Sequence, residues 1–116
     1  MSYNTPDVYY QPENFGLTQV AQIEWAEPDY SFNMGVVWKD ADGQLFYGED
    51  SGCSCPSPFE DFTSLESLEK LTFPELEAKL KERAETEYIY EGSSYALSRD
   101  ELRARVVDAI LKIKES

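Results

Sequence analysis

The chain has 116 residues, 41% of them hydrophobic and 14% aromatic, with a net charge of −13. That length holds one hydrophobic core and not two, and that apolar content excludes an acidic disordered tail. Histidine is absent, which excludes Ser-His-Asp and Cys-His catalysis, and no apolar run is long enough to read as a membrane span.

Residues 1–16 read as an extended arm, punctuated by Pro6, Pro12 and Gly16, with Tyr9, Tyr10 and Phe15 able to dock on the body. The start of the chain lacks the basic flank and apolar stretch of a signal peptide, so the expected setting is cytosolic with reduced thiols. Val20, Ile23 and Trp25 set among polar residues predict a first strand near 18–26. Residues 32–39 form the strongest strand signal, and Asp40-Ala41-Asp42-Gly43 predicts a tight turn into a third strand near 44–48. The turn has a mechanism, because Gly accepts the positive φ that such turns need.

The period then changes. Leu65, Leu68 and Leu71 predict a short helix over 64–71. Thr72-x-x-Glu75 is a capping box stapled by Leu71 and Leu76, and it opens a helix predicted over 73–88. Ser98-x-x-Glu101 repeats the device before a helix over 99–114, whose Leu102, Val106, Ala109, Ile110 and Ile113 share one face. Strands first and helices after predict an α+β fold. It is a single domain of 1–116: arm to 16, sheet and Cys/Pro loop over 17–63, helical part over 64–116. Its form is a three-stranded antiparallel meander with three helices packed on one face.

The unusual stretch is Asp50-Ser51-Gly52-Cys53-Ser54-Cys55-Pro56-Ser57-Pro58-Phe59-Glu60. A thiolate there needs a cationic neighbour to lower its pKa, and the neighbours are acidic, so a cysteine nucleophile is not expected. Cys53 and Cys55 supply two sulfurs where structural zinc takes four ligands; Asp50 and Glu60, or a second chain, would have to complete such a site. The preferred reading has no metal and no cofactor, with the cysteines packed under a loop braced by Pro56 and Pro58. Each proline fixes φ and pushes the residue before it toward extended geometry. The stiff segment should deliver Phe59 into the core as a lid. Asp40-x-Asp42-Gly43 departs from the calcium-loop pattern and is read as a turn. The acids Glu49/Asp50 and Glu60/Asp61 are adjacent in the chain, so their side chains diverge and do not form a catalytic pair. No enzymatic constellation remains.

Charge supplies the functional expectation. Residues 1–63 carry 11 Asp/Glu against Lys39 alone, while residues 64–116 carry 12 against 9 Lys/Arg. The first half also holds 12 of the 16 aromatics. Acid mixed with Trp and Tyr suits a partner protein with a basic surface, and the same field repels nucleic acid and anionic membranes. The expected contact residues are Trp25, Tyr30 and Tyr47, rimmed by Glu49, Asp50, Glu60 and Asp61.

The Asp-Ser-Gly-Cys-Ser-Cys-Pro-Ser-Pro-Phe-Glu run is preceded by Tyr9-Tyr10-x-Pro12-Glu13-x-Phe15-Gly16-Leu17 and a Trp-bearing first strand. Together these resemble small proteins of unknown function encoded by actinobacterial phages. The resemblance implies a phage gene product made in a bacterial cytoplasm. The expectation is then a non-enzymatic protein that binds a host or phage protein. In its sharper form it inhibits a nucleic-acid-binding host factor by presenting carboxylates to a basic groove. The alternative is a structural or assembly component of the virion.

Overall fold

The structure is a computed structural model that describes residues 7–25, 31–53, 59, 62, 64–87 and 99–116. Its centre is an antiparallel sheet of β1 (Leu17–Glu24), β2 (Ser31–Asp40), β3 (Leu45–Cys53) and β4 (Glu69–Leu71), in that spatial order. Two helices follow, α1 (Phe73–Glu87) and α2 (Arg99–Glu115). The fold is α+β, but the described residues form four strands and two α-helices where a three-stranded meander and three helices were expected.

The segment 64–71 accounts for the difference. It forms a 3-10 turn, Leu65–Ser67, followed after Leu68 by β4. Its leucines do not share a helical face: Leu65 is exposed, Leu68 is buried on one face of the sheet, and Leu71 packs on the other. Pairing Leu71 with Leu45 and Glu69 with Tyr47 satisfies backbone groups that an isolated two-turn helix would leave to water. A spacing of three fits both outcomes, and the strand edge of β3 decides between them.

The hairpin turn is formed as the sequence predicts. Gly43 has φ +86°, Asp40 Oδ1 accepts from the amides of Asp42 and Gln44 (2.9 Å each), and Gly43 N donates to Asp40 O (3.1 Å). β3 runs on to Cys53 instead of stopping at Gly48. Gly48 sits inside the ladder because a Cβ there would lie 2.9 Å from Leu68 Cδ2 and 3.3 Å from Phe62 and Trp38 ring atoms. Here the glycine serves a close approach, not a turn.

β1 contains a bulge. Gln19 pairs with Trp38 and Ala21 with Val37, so Val20 is an extra residue. The extra residue swaps the strand's two faces. Leu17 therefore lies on one side of the sheet, whereas Ala21, Ile23 and Trp25 lie on the other. The spacing of Val20, Ile23 and Trp25 in the sequence is the trace of that bulge.

The capping box at α1 is closed in both directions: Glu75 N donates to Thr72 Oγ1 (3.3 Å) and Thr72 N to Glu75 Oε1 (2.9 Å). Those bonds hold the Glu75 carboxyl below its ordinary pKa. Pro74 falls in the first turn, where its missing N–H costs nothing. Ser98, which would cap α2, lies outside the described residues.

The helices cover one face of the sheet. Leu76, Leu80 and Ala84 of α1 and Leu102, Val106, Ala109, Ile110 and Ile113 of α2 pack on Ala21, Ile23, Trp25, Val37, Leu45 and Tyr47. The other face, made of Leu17, Met34, Val36, Trp38 and Phe46, is covered by Val8, Phe59 and Leu68, with Tyr9, Phe15 and Phe62 around them. Over its described residues, 7–16, the arm is not extended: it turns at residues 8–10 and forms a 3-10 helix, Pro12–Phe15. Among the described residues no helix is long and apolar enough to cross a membrane.

Candidate partner-binding surface

Two of the expected contact aromatics are interior. Trp25 is fully buried and Tyr47 nearly so, both beneath α1. Gly35 on β2 permits this, because a Cβ there would fall on the Tyr47 hydroxyl and 3.1 Å from Trp25 Nε1. Tyr47 donates to Glu49 Oε2 (2.6 Å), Arg83 Nε donates to Glu49 Oε1 (3.0 Å), and Arg83 Nη2 donates to Asn33 Oδ1 (3.3 Å). The same guanidinium lies over the Trp25 ring, 5.0 Å from its centroid. Burial, reinforced by the Glu49 carboxylate, pushes the Tyr47 phenol far above its ordinary pKa. This network ties α1 to the sheet, and Glu49 is occupied within it. Trp25 and Tyr47 therefore present no surface to a partner, a correction to the expectation from sequence.

Asp50 is also occupied internally. It faces the side opposite the helices and its Oδ2 accepts from Phe59 N (2.8 Å). Phe59 is fully buried, stacked on Tyr9 (centroids 5.4 Å apart), with Trp38 and Phe62 edge-on at 5.6 Å and 4.8 Å. It plugs this face of the core. Its φ of +61° is a left-handed backbone held by a bulky residue, which costs about 1–2 kcal/mol. The ring's packing and the Asp50 bond hold it there. Cys53 closes β3 opposite Ser31. Tyr30, Cys55, Pro56, Pro58, Glu60 and Asp61 lie outside the described residues. Among those described, no three Cys, Asp or Glu side chains are grouped to hold a metal ion.

The charges divide between the layers. Six bases of the second half are paired: Lys79 with Glu69, Lys81 with Glu77, Arg83 with Glu49, Arg103 with Glu85, Arg105 with Glu101 and Lys112 with Asp108. In the first half, the Asp7, Asp40 and Asp50 carboxylates accept backbone amides. The carboxylates of Glu13, Glu24 and Asp42 have no partner among the described residues, and Glu13 and Asp42 are exposed.

One exposed aromatic accompanies these acids. Tyr10 is 55% exposed, although the sequence suggested that it docks on the body. Asp7 Oδ1 accepts from the amides of both Tyr9 (2.9 Å) and Tyr10 (2.8 Å), and Gln11 N donates to Asp7 O (3.0 Å). The turn buries Val8, turns Tyr9 onto Phe59, and leaves Tyr10 outside, edge-on to Tyr9 (4.9 Å, 89°). The signal in the sequence was Asp7 followed at two and three residues by Tyr9 and Tyr10, the residue order of an Asx turn.

These features define a small α+β domain: one antiparallel sheet, helices on one face, chain segments and aromatic rings on the other. The chain belongs to the family described as a domain of unknown function (DUF7574), whose model matches residues 6–110. No curated protein and no solved structure matches it.

Proposed function

We propose that this protein is a non-catalytic binding module that engages a protein partner through the acidic surface of its sheet half. The partner carries a basic surface. The observation that carries the reading is the division of charge: the helical layer pairs most of its bases with acids, while the first half sets 11 Asp/Glu against Lys39 alone. A field of one sign on one part of a molecule steers an oppositely charged partner and speeds its encounter. The partly buried carboxylates Glu49 and Asp50 are engaged in folding contacts, which supports binding rather than proton chemistry as the use of the remaining acids. With the sequence's resemblance to actinobacterial phage proteins, the sharper form is a phage product that occupies the basic groove of a nucleic-acid-binding host factor.

The test is affinity capture from an actinobacterial host lysate at low and high salt, with the native chain and with a variant in which the exposed acids Glu13 and Asp42 become Lys. The reading expects a basic protein that is released by salt and lost in the variant. A captured protein that is acidic, or indifferent to charge reversal, would overturn it.

A further inference from the structure

Resting on that reading, we propose that Tyr10 is the anchor of the interaction and that its exposed ring receives an arginine side chain of the partner. Four large apolar side chains are exposed among the described residues: Tyr10, Leu65, Val107 and Leu111. Val107 and Leu111 are on α2, among the paired charges of Arg103, Asp108 and Lys112. Tyr10 is the aromatic one, and it alone stands in the half of the chain with a single base.

Its placement is preorganised. The Tyr9 and Tyr10 amides donate hydrogen bonds to Asp7 Oδ1 and fix the turn, and Asp7 is itself buried. Behind Tyr10, the Tyr9 ring is held by Phe59 and by its hydroxyl's bond to Gln22 Oε1 (3.0 Å). An unbroken aromatic series, Trp38, Phe59, Tyr9 and Tyr10, thus runs from the core to the surface. A side chain held in this way loses little conformational entropy on binding, and Tyr adds contact area at low entropic cost.

The chemistry of the rim selects the occupant. Exposed Glu13 lies three residues on in the chain, and Glu24 stands on β1 two residues past Gln22, whose side chain holds the Tyr9 hydroxyl. The face of a phenol ring carries negative charge from its quadrupole and attracts cations. Arginine fits best, because its planar guanidinium stacks on the ring and is less strongly hydrated than an ammonium while its N–H groups reach a nearby carboxylate.

A short peptide of alternating glycine and arginine, titrated into the isotopically labelled full chain at low salt, tests this by NMR. The Tyr10 ring resonances and the Glu13 amide should move most. The neutral citrulline peptide should move neither. Tyr10→Ala should weaken binding about 2- to 5-fold, the range expected for an exposed cation–π contact. Tyr10→Phe should retain it, and both variants should melt with the native chain. Binding that perturbs other residues and leaves Tyr10 unmoved, or that Tyr10→Ala does not weaken, overturns the anchor while leaving the basic-partner reading standing. A peptide that binds nowhere overturns both.

Discussion

The two faces of the sheet are covered by different kinds of chain. On one side, two regular helices present leucines, valines and isoleucines at helical spacing, and six ion pairs dress their exterior or tie them to the sheet. On the other, a turn, a 3-10 helix and Phe59 meet over Trp38, joined by a backbone bond from Val8 N to Phe62 O (3.0 Å). Helices satisfy their own backbones, so periodicity and caps suffice to build that cover. Irregular chain cannot do so, and the opposite cover depends on carboxylates that cap amides (Asp7, Asp50) and on rings large enough to fill the space between segments. Each face also needs a glycine where side chains crowd a strand's backbone: Gly35 against Tyr47 and Trp25, Gly48 against Leu68, Phe62 and Trp38.

One core truncation in each cover has the largest expected effect. Phe59→Ala should cost about 3–5 kcal/mol and Leu80→Ala about 2–5 kcal/mol in denaturant unfolding, since both side chains are fully buried. Their glycine variants sharpen the contrast. At Leu80, inside α1, Gly should be worse than Ala by about 1 kcal/mol. At Phe59, where φ is +61°, the order should invert by about as much, because Gly relieves the left-handed backbone. The same order at both sites would refute the strained plug.

The glycine pair comes next. Gly35→Ala and Gly48→Ala should each destabilise by about 1–3 kcal/mol through overpacking. Gly35 should be the costlier: its new methyl meets a phenol held by Glu49, whereas the nearest atom at Gly48 is the tip of a leucine. Gly35→Ala should also loosen the Tyr47–Glu49–Arg83 network, seen as faster amide exchange in α1.

A smaller effect belongs to the helical cover alone. Thr72→Ala should cost about 1 kcal/mol and raise exchange in the first turn of α1 while leaving Val8 and Phe62 unchanged. The Glu75 carboxyl is depressed in the folded state. Its contribution is therefore present above the carboxyl's unfolded pKa and lost as the pH falls through the folded one. Glu75→Gln should flatten that part of the acid-side stability profile. Smallest of all, Tyr10→Ala should shift stability by less than about 0.5 kcal/mol, because the ring is more than half exposed.

Local chemistry was legible in the sequence. The Asp40–Gly43 turn, the Thr72–Glu75 capping box and the apolar stripe of α2 each depend on residues within a few positions of one another, and each forms as read. Phe59 as a lid could also be argued locally, from prolines that leave its segment few conformations, and its ring is buried. The candidate surface was legible only as charge: the acidic half could be counted, but not which acids face inward. Glu49 and Asp50 read as a rim because nothing near them in sequence announces Arg83, 34 residues away, or the amide of Phe59. Trp25 and Tyr47 read as exposed because their burial depends on a bulge at Val20 and a glycine on the neighbouring strand. The segment 69–71 carried a spacing that suits a helix, and it became a strand because β3 offered an open edge. Turns and caps are settled by short-range hydrogen bonds and steric limits, which the sequence alone determines. Sheet register, the face a strand presents and the partner of a buried carboxylate are settled by contacts between distant residues, and only the tertiary structure decides those.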